Sequence, residues 1–157
     1  MFMPEISTTH LGGTMRLGSR ATHFLNTTAS AASTESYKSP KFSSKIQALY
    51  GNVDEVHERH RHRYEVNPSY VSSLEAKGLH FIGQDDTHQR MEIVELENHK
   101  YFIGVQYHPE YKTRPLKPSA PFLGLVLAAI GGKALEEVVA RVNAGETIES
   151  CLPPKRA

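Results

Sequence analysis

A short apolar run, residues 101–105, stops abruptly at Gln106-Tyr107-His108-Pro109-Glu110, and this stretch constrains the rest of the chain most. Tyr101, Phe102, Ile103 and Val105 read as a buried strand, which needs sheet neighbours and a covering layer. The carboxyl end of such a strand is where α/β sheets hold ligands. Residues two apart in an extended chain share a face, and the residue before proline is pushed toward extended geometry, so His108 and Glu110 are expected to point the same way. A carboxylate beside an imidazole fixes its tautomer and stabilises the imidazolium formed when a nucleophile loses its proton. The pair is therefore the base and orienting half of a nucleophilic triad. The bare tripeptide also occurs in ordinary turns. It is the strand before it that favours the site.

The bulk properties narrow the class. A chain of 157 residues makes one ordinary domain, not two. A formal net charge of +1 gives no global attraction for nucleic acid or an anionic membrane. The single cysteine, Cys151, excludes an internal disulfide framework and fits a reducing compartment. There is no stretch of ~18 apolar residues and no basic-then-apolar leader, which together suggest a soluble, cytosolic chain without membrane partners.

Taken in order, residues 11–18 read as a short strand between glycines, with Met15 and Leu17 on one face, pairing with a second short strand at residues 23–25. Gly12 and Gly13 are a turn signal, since a phosphate loop would need a lysine and a strand-then-helix context. Residues 26–44, rich in Ser, Thr and Ala, read as a flexible insertion. Residues 44–50 form a short helix burying Ile46 and Leu49, capped by Gly51. Asn67 and Pro68 start a second helix, with Val71 and Leu74 inward and Gly78 ending it. Strands follow at residues 79–82 and 91–96, separated by a polar turn, so this part of the sheet is antiparallel. From Pro121 a helix is apolar nearly all round and is expected to lie buried between layers until Gly131 and Gly132 stop it. A last amphipathic helix, residues 133–142, turns Leu135, Val138, Val139 and Val142 inward, and the tail beyond is expected to be disordered.

Between the first two helices lies a run of alternating charge, Glu58-Arg59-His60-Arg61-His62-Arg63. In an extended segment Arg59, Arg61 and Arg63 share one face and His60 and His62 the other. A solvated charged strand is the plainest account. A metal site has dense imidazoles at His57, His60 and His62, but the arginines oppose a dication and no carboxylate falls in the same local spacing. A carboxylate grip is stronger, because guanidinium groups bind carboxylates bidentately. Nucleic-acid binding ranks last, for want of an interleaved aromatic platform.

Four stretches in this order, residues 12–18, 58–67, 90–95 and 106–110, resemble the carboxyl-terminal half of the glutaminase domain of CTP synthases. The resemblance covers about residues 4–130. It implies an α/β class I glutamine amidotransferase fold, a mixed sheet with antiparallel edge strands and flanking helices. A partial amidotransferase domain would occupy residues 1–132, followed by a carboxyl-terminal helix and tail at 133–157. It further implies a Cys-His-Glu triad that hydrolyses glutamine, with the ammonia passing to a synthetase domain that uses ATP and magnesium to aminate UTP. His108 matches the triad base, Glu110 its orienting carboxylate, and Arg63 the segment that holds glutamine. The family's nucleophile lies upstream of the Gly-Gly-Thr-Met-Arg-Leu-Gly stretch and has no counterpart here. Cys151, downstream of His108 and without a glycine-bracketed elbow, does not replace it. No metal or cofactor is expected on this chain itself, and the full-length family is expected to be a tetramer. A free-standing, non-catalytic protein that binds or regulates an intact synthase is the alternative from a different class.

Overall fold

The structure is a computed structural model and describes residues 15–25, 43–115 and 117–152. Among these, five strands form one sheet, β1 (Arg16–Phe24), β2 (Glu55–His62), β3 (Leu79–Gln84), β4 (Met91–Leu96) and β5 (Ile103–Val105), in the order β2-β1-β3-β4-β5. Every described pairing is antiparallel. For β3, β4 and β5 this follows from the short turns between them, which leave no length for a crossover. The expected pair of short strands around residues 15–25 is instead a single strand of nine residues. It pairs with β2 in register from Arg16 opposite His62 to His23 opposite Glu55, and at its far end with β3, His23 opposite Gln84. Gly18, at φ +100°, lets the strand continue through a backbone conformation that other residues resist. The glycine pair at 12–13 and most of the insertion, residues 26–42, lie outside the described residues.

Helix α1 (Lys45–Leu49) has Ser44 at its amino end, the Oγ accepting from the Gln47 amide, and it buries Ile46 and Leu49. A second cap comes from far along the chain. The Glu95 carboxylate on β4 accepts from Ser44 Oγ at 2.9 Å and from the Lys45 amide at 3.1 Å, tying α1 to the sheet. Asn67 accepts from the Ser69 amide and opens a 3₁₀ turn, Pro68–Tyr70, that runs into α2 (Val71–Glu75).

The main core gathers Phe24, Ile46, Leu49, Ile82, Ile93, Tyr107, Leu127, Leu135, Val138 and Val142, drawing on the sheet, on α1, on α3 (Ala120–Ala129) and on α4 (Ala134–Asn143). A smaller cluster of Val71, Phe81 and Met91 packs under α2. Helix α3 is not covered all round, as its composition suggested. Gly124, Leu127 and Ala128 are buried, whereas Leu125, Val126 and Ile130 are more than half exposed. The contact face is set by close approach: a Cβ on Gly124 would run into the Tyr101 ring and Leu49, and the Tyr101 hydroxyl donates to the Pro121 carbonyl at 2.7 Å. The tail also differs from expectation, since residues Ile148–Cys151 form α5 behind the Thr147 cap. No helix among the described residues is long and apolar enough to cross a membrane.

Candidate active site

His108 and Glu110 meet, though not by the route their spacing suggested. Strand β5 covers only Ile103–Val105, and the chain then tightens into a 3₁₀ turn, Pro109–Tyr111, with His108 just before it. Proline presets φ for the first position of that turn, so the pair closes across the turn and not along an extended strand. His108 Nδ1 and Glu110 Oε1 are 2.8 Å apart. The Glu110 carboxyl is held below the usual carboxylate range, first by its own backbone amide and then by the His108 ring, so it is ionised at neutral pH. With Nδ1–H donated to the carboxylate, Nε2 is left as the basic nitrogen.

The turn has a buried footing. The His108 amide donates to the Arg59 carbonyl of β2 at 2.8 Å, and Pro109 is buried. Tyr107, immediately before the histidine, is 3% exposed; its hydroxyl lies 3.0 Å from that of Tyr50, which in turn donates to Glu58 at 3.0 Å. Burial pushes both phenols well above their ordinary range, so they remain hydrogen-bond donors. Lys112 closes the circuit from beyond the turn, with Nζ 3.4 Å from the buried Glu58 carboxylate and 2.6 Å from the His57 carbonyl. On the outer side the His108 ring meets the Tyr111 ring edge-on at 5.9 Å, and Arg59 lies over Tyr111. Sequence reading passed over Tyr50, Glu58 and Lys112. Tyr107 was the one with a local signal, since the strand alternation that turns His108 outward turns its neighbour in.

Arg63 lies just past the end of β2 and is exposed. Its segment is joined to the His108 strand by Gln106, whose Nε2 donates to the Tyr64 carbonyl at 3.1 Å and whose amide donates to the Glu92 carbonyl at 2.8 Å. In β2 the alternation holds as expected: Arg59 and Arg61 face solvent while Glu58 and His60 are buried. The plain reading of a solvated charged strand therefore fits one face only.

Cys151 lies in α5, partly buried against the main core. That helix packs on α4, which joins it to the core on which α1 and α3 also pack.

Comparison with known proteins places the chain in a family. The family model for glutamine amidotransferase class-I matches residues 4–128. A CTP synthase of Neurospora crassa is 56% identical over 131 residues, which are 83% of this chain and 20% of that protein. CTP synthase 2 of Saccharomyces cerevisiae is 49% identical over 150 residues, 96% of this chain and 23% of that protein. The chain thus spans between a fifth and a quarter of the length of these curated relatives. Among solved structures, the glutaminase domain of Trypanosoma brucei CTPS with bound acivicin superimposes with a TM-score of 0.64 at 29% identity, covering 80% of this chain and 43% of that one. With the family model spanning most of its length and a glutaminase domain superimposing over 80% of it, the chain belongs to the class I glutamine amidotransferase family.

Proposed function

We propose that the chain supplies the base, the orienting carboxylate and a substrate grip for glutamine hydrolysis in an enzyme of the CTP synthase type. The observation that carries this is the 2.8 Å contact between His108 Nδ1 and Glu110, set on a turn that Tyr107, Glu58 and Lys112 hold from beneath. In the reaction, His108 Nε2 takes the proton of a cysteine thiol, and the thiolate attacks the side-chain carboxamide carbon of glutamine. The imidazolium returns its proton to the departing ammonia as the tetrahedral adduct collapses to a thioester. His108 then takes a proton from water, which attacks the thioester, and glutamate leaves as the thiol is restored. Glu110 stays ionised throughout and holds the ring. Arg63 grips the α-carboxylate of glutamine.

The thiol is to come from outside these 157 residues, because their one cysteine, Cys151, sits in α5 on the helical layer. The ammonia would serve amination of UTP in a synthetase domain of the same cytoplasmic, tetrameric enzyme, where ATP and magnesium would act. No residue described here is assigned to hold either.

The test has two parts. The purified chain should release no ammonia from glutamine, with or without Cys151→Ser, since loss of a triad nucleophile costs on the order of 10⁶ in turnover. In a complete enzyme carrying this segment, His108→Ala should abolish CTP formation from glutamine and spare CTP formation from free ammonia. Cysteine-dependent release by the chain alone, or equal loss with both nitrogen donors, overturns the proposal.

A further inference from the structure

The alternating run on β2 buries two imidazoles, and the fold brings them the carboxylate that the local spacing lacked. His60 Nδ1 lies 3.1 Å from His62 Nε2 and 3.2 Å from the Glu92 carboxylate of β4, although β2 and β4 are not neighbours in the sheet. One donor atom from each residue falls within 4.8 Å of the other two. We propose that His60 Nδ1, His62 Nε2 and Glu92 form a binding site for a zinc-class divalent transition metal.

The geometry suits the ion. Zinc holds imidazole nitrogen and carboxylate oxygen at about 2.0–2.2 Å, which in a tetrahedron sets ligand atoms roughly 3.3–3.5 Å apart. The two shorter edges here come within a few tenths of an ångström of that span. Two imidazoles and one carboxylate with a fourth position open are a recognised zinc donor set.

The surroundings prepare the ligands. His62 Nδ1 faces the Tyr64 carbonyl at 3.3 Å and Glu65 at 3.4 Å, so the ring proton belongs there and the Nε2 lone pair points into the cluster. His60 is fully buried, a setting that favours the neutral imidazole, the form that binds metal. Glu92 is 1% exposed, and neither of its oxygens makes a hydrogen bond. A buried carboxylate left without hydrogen bonds is costly, and a bound cation would relieve that cost. Its ion pair with Arg16, 3.2 Å from Oε1, leaves the edge toward His60 available. Of the arginines that counted against a metal in the sequence, Arg59 and Arg61 lie on the opposite, exposed face of β2, and Arg63 is exposed just past the end of that strand.

Such an ion would tie the end of β2, from which Arg63 continues, to the strand whose Glu92 carbonyl receives Gln106. It would brace the bases of both arms of the proposed glutamine site without touching either.

The chain, stripped with a chelator and shown by circular dichroism to be folded, is titrated with cobalt(II). One equivalent should give the intense d–d absorption of a four-coordinate nitrogen and oxygen site, and zinc should bleach it. His62→Gln and Glu92→Gln should lose this absorption, while His57→Gln, at an exposed histidine, keeps it. Because substitution of Glu92 can compromise folding, the wild-type chain carries a second reading: zinc should shift the ¹⁵N resonances of His60 Nδ1 and His62 Nε2 and leave the other histidines unmoved. Folded wild-type chain that shows only weak six-coordinate absorption, or absorption lost in His57→Gln and kept in His62→Gln, overturns the site, as does a zinc titration that moves neither nitrogen.

Discussion

At the scale of single residues, the proposed site separates into an orienting role and a binding role, and two substitutions distinguish them. Glu110 touches His108, and the proposed role is to orient that ring. In a complete enzyme carrying this segment, Glu110→Gln should lower glutamine-dependent turnover by about 10⁴, the loss seen when a comparable triad loses its carboxylate, with the glutamine requirement little changed. Steady-state rates with glutamine as donor check this, and an unchanged turnover would remove Glu110 from the triad. Arg63 is proposed for the binding role. A charge-assisted bond shielded by substrate contributes about 1.5–3 kcal/mol, so Arg63→Ala should raise the glutamine KM by roughly one to two decades. Ammonia bypasses that grip, and CTP formation from free ammonia should stay near normal. A purely solvated arginine would shift either rate by no more than about 0.5 kcal/mol, and equal loss with both donors would indicate a folding defect.

At the scale of elements, the turn between β3 and β4 shows what sequence reading reaches and what it misses. Asp85 looks like an ordinary turn residue, yet it is fully buried, accepting from Thr87 Oγ1, the Gln89 and Arg90 amides and the Arg90 guanidinium, with Arg16 nearby. Burial raises its carboxyl, but the Arg90 amide, the Thr87 hydroxyl and the Arg90 side chain outweigh burial and hold it below the usual range. A carboxyl depressed by folding stabilises the fold above its unfolded pKa of 3.8, and that contribution drains away as pH falls through the lower, folded value. Asp85→Asn should therefore flatten the acid limb of the stability curve below about pH 4 and destabilise the chain at neutral pH, by about 1.5–3 kcal/mol for the charge-assisted hydrogen bonding lost, since Arg16 and Arg90 keep Glu92 and Glu65 as partners. Urea melts across pH measure both, and parallel acid limbs would refute the assignment. The cap at Asn67 and the strand pattern of residues 91–96 were legible because each rests on neighbours in the chain. Glu58, Glu92 and Glu95 were not. On β2 the alternation told which residues share a face, but a strand polar on both faces does not say which one is covered, and on β4 the two glutamates fall on opposite, otherwise apolar faces. Helix α3 poses the converse problem: apolar on every side, it carries no pattern to show that Leu125, Val126 and Ile130 stay open.

At the scale of the whole molecule, the helices beyond residue 132 share the core that supports the site. Leu135, Val138 and Val142 of α4 are buried in the same cluster as Ile46 and Leu49 of α1 and as Tyr107. Burying each side chain stabilises by about 1.5–3 kcal/mol, so the three together contribute roughly 4.5–9 kcal/mol against a typical net stability of about 5–15 kcal/mol. A chain ending at residue 132 should show no cooperative thermal transition. Leu135→Ala is the finer probe, because Leu135 is 1% exposed and its truncation should cost about 2–5 kcal/mol. The effect should reach the turn bearing His108. Loosening α4 loosens α1, whose following residue, Tyr50, holds the Tyr107 hydroxyl and Glu58, while the His108 amide is protected by the Arg59 carbonyl of the same strand as Glu58. Hydrogen exchange at the His108 amide should then accelerate in Leu135→Ala in proportion to the lost global stability. If that amide keeps its wild-type protection while the melting midpoint falls, the turn is held by its own contacts with β2, and α4 supports the rest of the core without supporting the site.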